Sequence, residues 1–510
     1  MSDKGARYMT QSEKINVDII ATSDMHSYFL NGHHGSNIYR AGTYVKHMRQ
    51  RNNNVVLLDS GGSLAGSLAA FYYAVVAPYK RHPMIKLMNA MEYDASGISP
   101  NEFKFGLSFF SRAVSLSRFP WLSANIEYNR TKEPYFSTPY TIKEIEGIKI
   151  AIVGLTSDGL MEREYFEMEH DVVIEKTLVS AKRWISYIHE SEAPDFLIVI
   201  YHGGLNQLNT STNEREQKVN EAEKIMQHIG VIDLLITGHQ HQTFVGRNDQ
   251  TVYVQAGQNA QKLVHIKVDF KKRTSSFELE GINSEIIDLN DFEEDKALLT
   301  ETYYDRKAVE YWADDIITAH NLEAGVNGLE DVITQPHAFT QLLHDSIRLV
   351  YDLDISCVHL PKSGETGLQG TVTNAELYNA YPHPDVPMDL TIKGQHIKDI
   401  LEYSYAHIEF SNDALSVTII DETLCTFWQG VDYTIDMNAQ PFNRVTLNNI
   451  NLNHMYRVSM TDYCYRNYQS YLENAVIHDK HSITMNDLIA DNLSNDSYQI
   501  QQKQQFKVYL

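Results

Sequence analysis

Residues 15–27 read INVDIIATSDMHS, an apolar, β-branched run that ends in an aspartate and a histidine two positions apart. The Ile- and Val-rich part, 15–21, predicts a buried strand, and TSDMHS predicts the loop that leaves its carboxyl end. The same pattern recurs through the first half of the chain. NVVLLD (54–59), IKIAIVGL (148–155), DFLIVIYH (195–202) and IDLLITGH (232–239) are short, rich in Val, Ile and Leu, and run into polar residues or glycine. Helical segments such as 36–50 and 176–190 lie between them. Strands alternating with helices predict an α/β layered domain with helices over the sheet faces. TVYVQAG, KLVHIKVDF and SSFELEGINSEIIDL, within 251–289, predict the strands and hairpins that finish it.

The charge balance narrows the partners. With a formal net charge of −23 over 510 residues, the chain has no basic surplus to neutralise a nucleic-acid backbone or an anionic membrane. A small anionic ligand would need local cations or metal ions. Cys357, Cys425 and Cys464 form no CxxC pair, so neither a disulfide framework nor a thiolate metal site is expected. MSDKGARYMTQSEK lacks the apolar core of a signal peptide, and LAGSLAAFYYAVVAP (64–78) is too short to span a bilayer. The expectation is a soluble cytoplasmic protein.

Chemistry-bearing residues gather where the strands end. Asp24 and His26 follow the first strand, His202 ends the one at 195–202, and His239 and His241 follow the one at 232–239. In extended chain, residues i and i+2 point the same way, so each pair faces a common ion site. Loops at the carboxyl ends of neighbouring strands converge, which predicts one cluster of five metal-ligating side chains. His33 and His34, in NGHHGS, read instead as a solvated loop.

Asp24-Met25-His26, Gly61-Gly62, Ser99-Pro100-Asn101-Glu102, His202 and Gly238-His239-Gln240-His241 come in the order of a known signature. The pattern resembles the calcineurin-like metallophosphoesterases, with further likeness at FPWLSAN (119–125), PYTIKEIEGIKIAIVGLTS (139–157) and VQAGQNAQKL (254–263). The second half resembles the C-terminal domain of 5′-nucleotidases, particularly the 2′,3′-cyclic-nucleotide phosphodiesterase branch. TNAELYNAYPHPDVPMDLTIKGQHIKDILEYS (373–404) and GVDYTID (430–436) carry that likeness. The resemblance implies a four-layer α/β/β/α sandwich over 14–290 after a tail at 1–13. A linker helix and loop at 291–330 and a smaller α/β domain at 331–510 would follow. It also implies hydrolysis of nucleotide phosphate esters by two divalent ions, manganese, zinc or similar. Asp24, His26 and His241 would hold one ion, and His202 and His239 would belong to the other.

The chain departs from that pattern at three positions. Family members carry an acidic residue, bridging both ions, where this chain has Gly62. An ungapped reading from YDA (93–95) sets Pro100 at the metal-binding Asn and Asn101 at the catalytic His. A one-residue slip restores Asn101 as the ligand but leaves the histidine missing. Asp59, Ser60, Ser63 and Glu102 are the polar neighbours, and none of them would bridge two ions. One ion, or none, is therefore expected in place of two, with impaired hydrolysis. A pseudoenzyme that binds a nucleotide or a protein partner is the alternative.

From about 290 the composition shifts to a charged helical stretch, followed by HNLEAGVNGLEDVITQ (320–335), read as a loop. AFTQLLHDSIRLVYD and QHIKDILEYSY then predict helices, and DISCVHL, VPMDLTIKG and GVDYTIDM predict strands. The resemblance implies a base stacked between aromatic rings in this half. Phe427 or Trp428 and Tyr465 are the candidate rings, with Arg466 and Arg444 as anion contacts.

Overall fold

The structure is a computed structural model that describes residues 14–30, 38–136, 138–161, 171–206, 219–229, 231–248, 250–274, 276–411, 414–417, 422–503 and 506–509. The tail at 1–13 and the pair His33–His34 lie outside the described residues. The chain divides into two compact units, Met1–Lys307 and Ala308–Leu510.

In chain order, the strands of the first unit begin with β1 (Lys14–Thr22), β2 (Val55–Asp59), β3 (Ala95–Gly97), β4 (Trp121–Leu122) and β5 (Ile126–Tyr128). Next come β6 (Tyr140–Ile145), β7 (Ile148–Thr156), β8 (Val172–Ile174), β9 (Phe196–His202) and β10 (Leu234–Thr237). The series ends with β11 (Thr243–Arg247), β12 (Val252–Ala256), β13 (Lys262–Lys272) and β14 (Phe277–Asp288). One six-stranded sheet runs β14-β13-β1-β2-β3-β4, the other β11-β12-β10-β9-β7-β6, and β5 pairs with β8 apart from both. The first sheet is antiparallel from β14 to β1 and parallel from β1 to β4, and the second is parallel from β12 to β7 with antiparallel strands, β11 and β6, at its two edges.

Pleat explains the layering. Val17, Ile19, Val56 and Leu58 face Ile150, Ile152, Ile198, Ile200 and Ile236 in one buried core between the sheets. The opposite face of the second sheet, with Val153, Leu197 and Val199, packs on Ala181, Ile185 and Ile188 of the helix Thr177–Ser191. Ile20 and Leu57 of the first sheet are equally buried on its other side, where the helix Ile38–Arg51 packs. These layers give the α/β/β/α order. Burial on both faces is why β9 reads as an unbroken apolar run. Each fully buried Ile or Leu contributes roughly 1.5–3 kcal/mol, so the two-sided core is the main stabilising term.

Register then sets the site. β1 pairs with β2 so that Thr22 lies opposite Asp59, which brings the loop after Thr22 beside the loop after Asp59. β9 pairs with β10 so that Tyr201 lies opposite Thr237, which brings His202 beside Gly238.

In the second unit a five-stranded sheet is ordered Thr426–Gln429, Ile355–His359, Met455–Thr461, Pro387–Lys393, Val476–Lys480. The helix Ala338–Arg348 buries Phe339, Leu342, Leu343 and Ile347. A capping box, Thr373 with Glu376, opens the helix Asn374–Ala380. The stretch 320–335 is not the loop expected. Residues Ile316–Val326 form a strand paired antiparallel with Thr366–Thr373, and Leu329–Ile333 form a short helix. Its glycines and asparagine masked a strand whose pairing partner lies 40–57 residues away in sequence. The charged stretch before it is helical, at Lys296–Glu301 and Tyr303–Asp314. No helix of the described residues is long and apolar enough to cross a membrane.

Candidate metal centre

The loop after β1 bends sharply. Asp24 and His26 have φ of +49°, Ser27 +57°, His239 +73° and His241 +56°. The left-handed region costs a non-glycine residue about 1–2 kcal/mol, so neighbouring structure must hold each one. The Asp24 N–H donates to Gly61 O at 2.9 Å, the His26 N–H to Gly62 O at 2.8 Å, and the Asn259 N–H to Asp24 O at 2.8 Å. The i, i+2 pairs therefore do not align as extended chain, as the sequence reading supposed. Left-handed turns, pinned by the neighbouring loop, aim them inward.

At the centre is Asp24 Oδ1, fully buried and without a hydrogen-bond partner. His26 Nε2 lies 3.8 Å from it, His202 Nε2 3.7 Å and His241 Nε2 3.7 Å. The ligand atoms of Asp24, His26 and His241 all lie within 4.8 Å of one another. The other carboxylate oxygen, Oδ2, is engaged: it accepts from the Ser23 hydroxyl and, at 3.0 Å, from the His239 N–H. Two of the rings are fixed from behind. His26 Nδ1 donates to Asn259 Oδ1 at 3.0 Å and His202 Nδ1 to Ser60 O at 2.9 Å, leaving each Nε2 as the free lone pair. The His239 ring packs edge-on at 6.3 Å from that of His202. Burial opposes the Asp24 charge, but His202, His26 and His241 hold its carboxyl below the usual range. Burial pushes His241 down, with His26 and His202 adding to it.

A buried carboxylate oxygen with no donor is costly, and a cation is what would satisfy it. One carboxylate oxygen and imidazole nitrogens form a donor set for a first-row divalent ion such as zinc or manganese. The residues fit such an ion.

The glycine loop shows why no side chain stands at position 62. Gly62 has φ +81°, and a Cβ there would lie 2.7 Å from Asp24 Oδ1. The loop amides face a different carboxylate. Glu102 accepts from the N–H groups of Gly62 (3.2 Å), Ser63 (2.7 Å), Leu64 (3.3 Å) and Ser99 (2.7 Å), and from the Ser99 hydroxyl (2.5 Å). Ser99 and Glu102 also form the capping box of a 3₁₀ turn, Pro100–Phe103, on which Asn101 is half-buried. Asp59 turns back into the fold, accepting from Thr22 Oγ1 at 2.7 Å and from the Gly61 N–H and Ser63 Oγ at 2.9 Å each. Burial pushes its carboxyl up to about 7. Ser60 donates to Ser23 Oγ at 2.6 Å. Ser60 and Ser63 thus already have partners inside the protein.

The aromatic candidates of the second unit need correction. Phe427 and Trp428 are 3% and 2% exposed, inside the strand Thr426–Gln429, where neither ring offers a face to a ligand. Their C-T-F-W-Q context is apolar because it is an interior strand. Tyr465 is buried as well. Arg444 donates to the carbonyls of Tyr405, Ile408 and Ala439, so it serves as a structural clamp. Arg466 is half-buried, 3.7 Å from Asp462 and 3.9 Å from Asp385. The sequence reading missed Tyr463, whose half-buried ring stacks on His359 at 4.2 Å and 22°. His359 Nε2 in turn lies 3.2 Å from Asp385, which also accepts from the Tyr381 hydroxyl at 3.0 Å. The available signal was Thr461, an N-cap that sets Tyr463 in the first turn of the helix Asp462–Asn467.

A two-sheet sandwich with Asp and His at its strand ends, followed by a second α/β unit, is the architecture of two-domain 5′-nucleotidases of the calcineurin-like phosphoesterase fold. Residues 318–472 match the family model described as 5′-nucleotidase, C-terminal domain. The chain thus combines that fold with that C-terminal domain, as the motifs implied. A provisionally described 5′-nucleotidase from Staphylococcus aureus, crystallised with α-ketoglutarate, superposes with TM-score 0.80 at 22% identity, covering 97% of this chain and 100% of that one. The trifunctional nucleotide phosphoesterase YfkN of Bacillus subtilis is 26% identical over 253 residues, 45% of this chain and 17% of its own. A 2′,3′-cyclic-nucleotide 2′-phosphodiesterase/3′-nucleotidase of Salmonella typhimurium is 24% identical over 252 residues, 46% of this chain and 38% of its own. The chain matches well under half the length of these two relatives.

Proposed function

We propose that this protein acts on nucleotide phosphate esters, 5′-nucleotides or 2′,3′-cyclic nucleotides, through a divalent ion at Asp24, and that its hydrolysis is impaired. The observation that supports it is Asp24 Oδ1, buried, unpartnered and ringed by three imidazole nitrogens. The ion would supply a Lewis acid for a phosphoryl oxygen and an acidified water. Two ions ~3.7 Å apart repel by about 18 kcal/mol at an effective dielectric of ~20, and a bridging carboxylate offsets much of that. With glycine at 62 the offset is missing, and without the histidine whose place Asn101 takes, a further ~10²–10⁴-fold in rate is lost.

The test is hydrolysis of 5′-AMP and 2′,3′-cyclic AMP with added Mn²⁺, comparing the chain with Asp24→Ala. Slow turnover that disappears in the variant supports the reading. Turnover that survives Asp24→Ala refutes it. The contact that a Cβ at Gly62 would make favours a second reading, a nucleotide-binding pseudoenzyme. Nucleotide binding without turnover would select it.

A further inference from the structure

We propose that His359 is a buried imidazolium, protonated on both ring nitrogens at neutral pH, and that its charge clamps Tyr463 and the helix Asp462–Asn467, which loosen when the proton is lost. The clamp lies within the second unit and does not involve the metal centre, so neither reading depends on the other.

The hydrogen bonds carry the assignment. His359 is 1% exposed, and both of its nitrogens face acceptors. Nδ1 lies 2.7 Å from the Leu360 carbonyl oxygen, and Nε2 lies 3.2 Å from Asp385 Oδ2. A carbonyl oxygen has no proton to give, so Nδ1 must donate. A neutral ring would then turn its Nε2 lone pair on a carboxylate, in a place where no solvent weakens the repulsion. The other way to keep the ring neutral is to put the proton on Asp385, and the surroundings of Asp385 oppose that. The Tyr381 hydroxyl donates to its Oδ2 at 3.0 Å, and the Arg466 guanidinium lies 3.9 Å from its Oδ1. Burial raises the Asp385 carboxyl, but His359, His383 and Arg466 hold it well below the usual range. Burial likewise opposes the charge on His359, while Cys464, Asp385 and the Leu360 carbonyl raise the imidazole above its usual range.

His344, in the same unit, is the contrast. It is also buried, but its Nδ1 meets a hydroxyl, Ser356 Oγ at 2.8 Å, which can donate to it. Burial, with Lys503 and Arg348 adding to it, pushes His344 down to about 3. Burial by itself favours the neutral ring, and the acceptors around His359 reverse that.

The charge holds Tyr463. The two rings stack at 4.2 Å and 22°, so an aromatic face meets a cation. Tyr463 stands in the first turn of the helix Asp462–Asn467, its hydroxyl 2.6 Å from Thr423 Oγ1. That helix also carries Cys464, Arg466 and Asp462, with Arg466 3.7 Å and Lys480 3.3 Å from Asp462. Tyr381 and His383 flank the stack from the segment before the strand Pro387–Lys393, and Cys357 adjoins Cys464 from the strand of His359. Loss of the proton removes the cation under Tyr463 and sets a lone pair against Asp385, so both contacts weaken together. The folded state binds this proton more tightly than the unfolded chain does. Its stabilisation is therefore complete below about pH 6.5 and is lost as pH rises through the folded-state value.

The experiment is hydrogen exchange of the full chain, read by mass spectrometry between about pH 5.5 and 9 and corrected for intrinsic rates. Nitrogen-15 NMR of histidine-labelled protein accompanies it. Protection of 462–467 is expected to fall by up to about tenfold per pH unit above the titration, the slope of one proton, while the helix Ala338–Arg348 holds. In NMR, an imidazolium signal should persist above about pH 6.5 and be missing from His359→Gln. Asp385→Asn should leave His359 neutral at about pH 7, and His359→Gln should give low protection of 462–467 with no slope. If a variant fails to fold, the parent profile decides. A neutral His359 in the parent at about pH 6, or an Asp385→Asn ring that keeps both protons, would overturn the proposal. So would protection of 462–467 that stays constant, or that falls only in step with Ala338–Arg348.

Discussion

Replacing Gly62 by alanine tests whether the missing carboxylate is a simple deletion or a rebuilt loop. At φ +81° an L-residue costs about 1–2 kcal/mol in backbone strain. The new Cβ would also sit 2.7 Å from a buried carboxylate oxygen, and forcing atoms into such a packed place costs about 1–3 kcal/mol. The sum is about 2–5 kcal/mol. Two other glycines calibrate it. Gly106 has φ +87° with nothing within 4 Å of its Cβ, so Gly106→Ala reports the strain alone. Gly281 has open space and no left-handed φ, so Gly281→Ala should be near neutral. Urea unfolding of the metal-free chain should rank the losses Gly62→Ala, then Gly106→Ala, then Gly281→Ala. Gly62→Asp should fall at least as low as Gly62→Ala, because a second carboxylate would face Asp24, and it should not by itself recruit a second ion. If Gly62→Ala costs no more than Gly106→Ala, the close approach is not real and the rebuilt-loop argument fails.

Two further predictions concern burial. Asp59 is held at about 7 in the fold against 3.8 unfolded, so the folded state binds the proton more tightly. Its penalty is absent below about pH 4, grows as pH rises and levels off above about 7, reaching about 4 kcal/mol for a fully buried group. Asp59→Asn should flatten that part of the pH–stability curve; an unchanged slope between pH 4 and 7 would refute the assignment. Trp428→Ala should cost about 3–5 kcal/mol as a core cavity, leaving the affinity of whatever folded protein remains for nucleotide within about twofold, as measured by calorimetry. A variant of parental stability that had lost nucleotide binding would restore Trp428 as a stacking ring.

Much of the first unit was legible because a parallel strand buried on both faces must be apolar throughout. β9 and β10 announce themselves in Phe196–His202 and Leu234–Thr237. The strand Ile316–Val326 was not legible, since its IITAHNLEAGV carries no such run and its pairing with Thr366–Thr373 is a long-range fact. The same limit applied to Phe427 and Trp428. An aromatic residue on a strand reads alike whether its ring lines a cleft or fills a core, and only the neighbouring strand Ile355–His359 decides that.

The sequence by itself determined the layered α/β fold, the order of the motifs and the five Asp and His side chains at the strand ends. It did so because strand periodicity and loop position are local properties of the chain. Only the tertiary structure decided how those five are oriented. Left-handed turns at 24, 26, 239 and 241 aim them, the anchors Asn259 and Ser60 orient two rings, and the His239 N–H takes Asp24 Oδ2. These are contacts between residues up to 233 positions apart, set by sheet register rather than by any neighbour in sequence.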